Sequence, residues 1–162
     1  MIAGIIAAAY MSIQLPECVK PKQFYEEGYE VIYNNHNYYL MMDKEDIDLM
    51  ARVVMSEAGN QPAECKEAVA TVLLNRLASP DYPVDLYDVV HQQSQFSTAD
   101  NGDPTPECYL AVYSALTWFG SDYAVVPSSC YYFRSGHYHT WALNYEKIGD
   151  LYFSCSPNAC IN

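Results

Sequence analysis

Glu57 is the residue of this sequence best placed for acid–base chemistry. It sits in Ser56-Glu57-Ala58-Gly59, at the end of a helical pattern that begins near Asp43. Ile47, Met50, Ala51, Val54, Met55 and Ala58 recur at helical spacing, and Glu57 falls roughly 80° from the centre of that stripe. That is the rim of a core, neither fully wet nor fully buried. It is also the last turn, where the helix dipole is negative. Partial burial and the dipole both disfavour a carboxylate, so both push its pKa upward. A glutamic acid kept protonated near neutral pH is the general acid that glycosidic cleavage requires. On position alone, the competing reading is an ordinary surface Glu at a helix end.

Other side chains offer weaker chemistry. His137-Tyr138-His139, with His91 as a third group, alternates as two metal ligands on one strand face would. No carboxylate stands at a fixed spacing from them, so no metal site is assigned. The six cysteines, at 18, 65, 108, 130, 155 and 160, include no CxxC and no zinc-finger spacing. Their even number in a small acidic chain points to an oxidising compartment and two or more bridges, with Cys155 and Cys160 among the paired residues. The chain has neither GxGxxG nor GxxxxGK[ST], so no nucleotide cofactor is expected. Sixteen tyrosines cluster on both sides of the middle of the chain. Such rings suit a half-wet, sugar-binding groove, and they are equally ordinary strand residues.

The elements that must position these groups follow from pattern. Residues 1–42 form an apolar N-terminal segment and a Tyr-rich lead-in, and residues 43–162 form the main domain. Ile2 to Ile13 resembles the apolar part of an export signal, although no Lys or Arg precedes it. It reads equally as a truncated anchor or a core segment, and it is too short to span a bilayer. In the lead-in, segments 29–33 and 37–42 read as a strand pair turning at Asn34-Asn35. A first helix runs from about Asp43 to Ala58, and Pro62 opens a second with one stripe of Ala68, Val69, Val72, Leu73 and Leu77. Asp85 caps a short helix to Val90. A polar loop surrounds Phe96, and Thr105-Pro106-Glu107 starts a helix that runs to Phe119. Strands and turns follow Pro127. Helices first and a small sheet last is an α+β layout.

The 162 residues suit one domain with an appendage, and 51% apolar content can support a core. Eight Lys+Arg against twenty Asp+Glu leave a net charge of −12. That disfavours a nucleic-acid partner and an anionic membrane surface.

With these residues in place, the chain resembles the SleB/CwlJ-type cell wall hydrolases. Glu57-Ala58, Pro62, Ala68-Val69-Ala70 and Leu74-Asn75-Arg76 are similar, without a gap, to the family's opening motif EARGEP…AVAAVVLNR. Gln95-Phe96-Ser97 resembles its QFS segment. Phe133, Trp141, Ile148-Gly149 and Phe153 resemble its closing aromatic motif. The resemblance covers about Asp43 to Phe153. It implies a lysozyme-like, lytic transglycosylase-like α+β fold, a helical core with a small antiparallel sheet. It also implies cleavage of peptidoglycan between N-acetylmuramic acid and N-acetylglucosamine, with Glu57 catalytic. Related spore-cortex enzymes act as lytic transglycosylases.

Four positions depart from the pattern. The family's Arg-Gly-Glu is Gly59-Asn60-Gln61, and its closing His is Leu151. An amide at 61 cannot serve as a second acid–base group, so intramolecular attack by the sugar's own 6-hydroxyl is the simplest chemistry. Gln95, Phe96, Ser97, Tyr132 and Trp141 are expected to line the glycan groove. Asp100 and Asp103 read as solvated turn residues, and Asn75 and Arg76 as structural. The expected partner is the peptidoglycan strand, and the expected location is extracellular or at the cell wall. Two rivals stand beside this reading: a wall-binding or adhesion module that keeps the fold without catalysis, and a secreted thiol peptidase.

Overall fold

The computed structural model of the chain describes residues 30–33, 39–92, 96 and 102–158. Two short strands come first, β1 (Glu30–Tyr33) and β2 (Tyr39–Met42), paired antiparallel from Glu30↔Met42 to Tyr33↔Tyr39. The sequence-expected strand pair is therefore present. Met42 closes β2 fully buried, in the same core as the helices that follow.

Helix α1 (Lys44–Ala58) begins at a reciprocal cap. The Asp43 side chain accepts from the Asp46 amide at 2.9 Å, and the Asp46 side chain accepts from the Asp43 amide at 3.1 Å. Two orphan donors are thereby satisfied. Of the stripe expected from spacing, Ile47, Met50, Ala51, Val54 and Ala58 are buried and Met55 is half-buried; Leu49 and Val53 are buried with them. Helix α2 (Ala63–Ala78) follows Pro62, which sits at the N-cap rather than inside the first turn. Spacing predicts one apolar stripe on α2, but every residue from Ala68 to Arg76 is buried. α2 is packed by α1 and by three later elements, α3 (Leu86–Val90), α4 (Pro106–Trp118) and β3 (Cys130–Ser135). Packing on several sides leaves this stretch of α2 no solvent face.

The sheet at the C-terminal end has the order β3-β5-β4, with β4 (Leu143–Ile148) and β5 (Leu151–Cys155) antiparallel neighbours. β5 is central, with Leu151, Phe153, Ser154 and Cys155 buried, whereas β4 is an exposed edge apart from Ile148. The β4–β5 turn passes through Gly149 at φ +58°, a left-handed conformation that favours glycine.

Asn75 and Arg76 fasten α2 to this sheet. The Asn75 side-chain amide donates to the Pro127 and Cys130 carbonyls, both at 2.9 Å. Arg76 Nε donates to the Tyr131 carbonyl at 2.8 Å. These are the structural roles read from sequence, and they fix where β3 begins. Among the described residues, no helix is long and apolar enough to cross a membrane.

Candidate active site

Glu57 lies in the last turn of α1, at a recess of about 180 Å³ lined by Met55, Ser56, Glu57, Ala58, Gly59, Asn60 and Gln61. Its side chain is half-buried, and burial alone raises its pKa above the ordinary glutamate value. The structure thus reproduces the rim position that helical geometry implies. Met55 is in turn held against α4, whose Cys108 thiol meets its sulfur at 3.8 Å. Gly102, on the approach to α4, lies against the Arg52 carbonyl and Met55.

Gln61 ties this recess to the sheet. Its side-chain carbonyl accepts from the Asp150 amide at 2.9 Å, and its side-chain amide donates to the Asp150 carboxylate at 3.2 Å. A Cβ on Gly149 would sit 2.6 Å from Gln61 Oε1, so the glycine is needed for close approach as well as for its φ. Asp150 is a carboxylate at this end of α1 that sequence reasoning missed. A glutamate at 61 would face Asp150 as a like charge. Gln61→Glu is therefore expected to cost up to about 1 kcal/mol at neutral pH. Thermal unfolding checks this: the loss should shrink as pH falls through the carboxylate range, and Asp150→Asn should restore it.

A second group of side chains forms an aromatic wall on β3 and the segment after it. Tyr132 meets Trp141 edge-on at 4.7 Å between ring centroids, and both contact His139, at 5.9 and 5.0 Å. Tyr131 continues the row to Tyr82 at 5.4 Å. Trp141 is 56% exposed, an apolar face open to a ligand. Burial and the neighbouring positive groups hold the His139 pKa below the ordinary imidazole value, so the ring is neutral at neutral pH.

Behind the wall lies Arg76, only 3% exposed. Its guanidinium stands over the rings of Phe96, at 5.0 Å, and Tyr82, at 5.4 Å.

The other residues singled out from sequence fall as follows. Phe96 is 7% exposed and packs between Arg76 and Phe133. Gln95, Ser97 and Asp100 lie outside the described residues, as do Cys18 and Cys160. Asp103 is exposed, as expected of a turn residue. The His137–His139 pair lies in the connection between β3 and β4, not on a strand, and its second imidazole packs against rings. Leu151, where the family has His, is buried in the core.

The four described cysteines, Cys65, Cys108, Cys130 and Cys155, are buried free thiols, with no disulfide among them. Each has a neighbour other than an imidazole: Cys65 the Asp150 turn, Cys108 Met55, and Cys130 and Cys155 one another. No described hydrogen bond or ring contact joins Glu57 to the aromatic wall.

This arrangement can be set beside known proteins. Residues 60–154 match the family model described as Cell Wall Hydrolase. The chain belongs to the cell wall hydrolase family. The match starts just past Glu57, so the assignment of that residue rests on its motif and geometry. The spore cortex-lytic enzyme of Halalkalibacterium halodurans is 37% identical over 95 residues, which is 55% of this chain and 27% of that protein. The spore cortex-lytic enzyme of Bacillus subtilis is 34% identical over 94 residues, 55% of this chain and 29% of that protein. The chain thus spans less than a third of these relatives' length.

Two solved structures share its fold. The catalytic domain of the Bacillus cereus SleB protein superposes with a TM-score of 0.59 at 26% identity, covering 69% of this chain and 91% of that one. The catalytic domain of the germination-specific lytic transglycosylase SleB from Bacillus anthracis gives 0.58 at 24% identity, covering 70% and 96%. The α+β, lysozyme-like fold expected from sequence is the fold observed.

Proposed function

We propose that this cell wall hydrolase cleaves the glycan strand of peptidoglycan between N-acetylmuramic acid and N-acetylglucosamine, as a lytic transglycosylase with Glu57 as its acid and base. The observation that carries this reading is Glu57 itself, a half-buried carboxyl with a raised pKa at the edge of a recess. Glu57 protonates the leaving glycosidic oxygen as the bond to C1 breaks. The resulting carboxylate then accepts the proton of the muramic acid 6-hydroxyl as that oxygen closes on C1. The closure is intramolecular and carries a large proximity advantage. Trp141 and Tyr132 offer rings on which sugars stack. Such a substrate places the protein outside the membrane, at the wall.

The carboxylate inventory favours this route over hydrolysis. An inverting hydrolase needs a second carboxylate about 6.5–9.5 Å from the first to activate water, and a retaining one needs a nucleophile nearer, at about 5–5.5 Å. The position after the catalytic motif carries Gln61, and the nearby Asp150 is occupied by that amide. Purified peptidoglycan digested with the protein is expected to release 1,6-anhydro-muramoyl ends, about 18 Da lighter than hydrolysed ones because no water is consumed. Mass spectrometry in oxygen-labelled water decides the matter. Label at reducing ends makes water the nucleophile and Asp150, Asp103 or Asp100 its activator. Binding without release of soluble glycan makes the protein a wall-binding module.

A further inference from the structure

Cys130 and Cys155 stand directly opposite one another, the first residue of β3 against the last of β5. The next pair outward, Ser129 and Ser156, is hydrogen-bonded, with the Ser156 amide donating to the Ser129 carbonyl at 2.9 Å. Antiparallel ladders alternate hydrogen-bonded and non-hydrogen-bonded pairs, which makes Cys130–Cys155 a non-hydrogen-bonded pair. In such pairs the Cα atoms approach to about 4.5 Å and the side chains lie closest, within the span a disulfide bridges. Both side chains are on the buried face, where the Cys130 thiol donates to the Ser154 carbonyl at 3.4 Å and has the Cys155 sulfur as its neighbour. Cys65 and Cys108 lie on separate helices and face other groups.

We propose that Cys130 and Cys155 form a redox-active dithiol, closed to a cross-strand disulfide by exchange with a small-molecule disulfide such as oxidised glutathione. The roles of the two sulfurs differ. The proximity of the two sulfurs lowers the Cys155 pKa and, with burial, raises that of Cys130. Cys155, 8% exposed at the end of the sheet, attacks first as thiolate. It forms a mixed disulfide with one glutathione half and expels the other as thiolate. Cys130 then gives up its proton and attacks the Cys155 sulfur, expelling the second glutathione. Two protein thiols and one oxidised glutathione become one protein disulfide and two reduced glutathiones. The bond would pin β5 to the strand end whose carbonyl Asn75 holds, and with it the strand that carries Tyr131 and Tyr132. The inference does not depend on the reaction proposed for Glu57.

The test equilibrates the folded full chain with millimolar oxidised glutathione, quenches with acid, alkylates free thiols and maps peptides by mass spectrometry without reduction. The expected result is a peptide linking Cys130 to Cys155. Thermal unfolding of that form should lie about 5–15 °C above the reduced form. In Cys130→Ser, Cys155 should instead accumulate as the glutathione mixed disulfide. Recovery of both wild-type residues as alkylated thiols overturns the proposal. So does a glutathione adduct on Cys155 with Cys130 still free, or a bridge from Cys155 to Cys18 or Cys160. Should Cys130→Ser fail to fold, the wild-type peptide map decides alone.

Discussion

Glu57→Gln is expected to keep its fold and to lose glycan cleavage by at least about a hundredfold, the usual scale for removing a general acid. Glutamine matches the shape of glutamic acid and cannot supply a proton. The fold should survive because among the described residues no ion pair or hydrogen bond reaches the Glu57 carboxyl. Release of soluble glycan from purified peptidoglycan measures the loss. Wild-type clearing by the variant would remove Glu57 from the reaction.

The same residue sets a pH signature with a definite sign. Burial raises the folded-state pKa of Glu57 above its ordinary 4.5. The folded chain therefore binds this proton more tightly than the unfolded chain does. The associated stability is fully present below the ordinary value and is lost as pH rises through the folded value. Glu57→Gln escapes that loss, so its melting temperature relative to wild type should be higher at pH 7 than at pH 4. Cleavage by wild type should fall on the alkaline side as the acid deprotonates. A difference in melting temperature that stays flat with pH contradicts the desolvated carboxyl on which the mechanism depends.

What the sequence revealed was mostly local. Helix α1 was legible because Asp43 and Asp46 write a cap and its apolar residues recur within one element. The start of α4 was legible in Thr105-Pro106-Glu107 for the same reason. Glu57 inherited its rim position from that local periodicity. The burial of α2 from Ala68 to Arg76 was not legible, because it depends also on α4 and β3, supplied by distant parts of the chain. Nor was the Gln61–Asp150 pair, whose members stand 89 residues apart. Gly149 was seen only as a motif letter, whereas its close approach to Gln61 is what closes the gap between helix and sheet. His139 misled in the other direction. Its alternation with His137 looks like a strand, yet these residues lie in a connection, where the ring packs against Tyr132 and Trp141.

Phe153→Ala should be the most destabilising single substitution in the sheet, costing about 3–5 kcal/mol. Phe153 is 0% exposed and is among the largest fully buried side chains. It occupies the middle of β5, the one strand paired on both sides, so no neighbour can move in to fill its space without breaking a ladder. Its ring meets Phe133 at 5.7 Å, Phe133 meets Phe96 at 6.0 Å, and Phe96 lies under the Arg76 guanidinium. The cavity would therefore open at the base of a stack that supports the aromatic wall. A domain of this size has only about 5–15 kcal/mol to lose, so the variant should melt about 10–20 °C below wild type and show a lower denaturant midpoint. Tyr152→Ala, one residue away and half-buried on the opposite face, should cost markedly less. Equal losses at 152 and 153 would mean that the strand is held by pairing alone, and that the stack from Phe153 to Arg76 does not carry the wall.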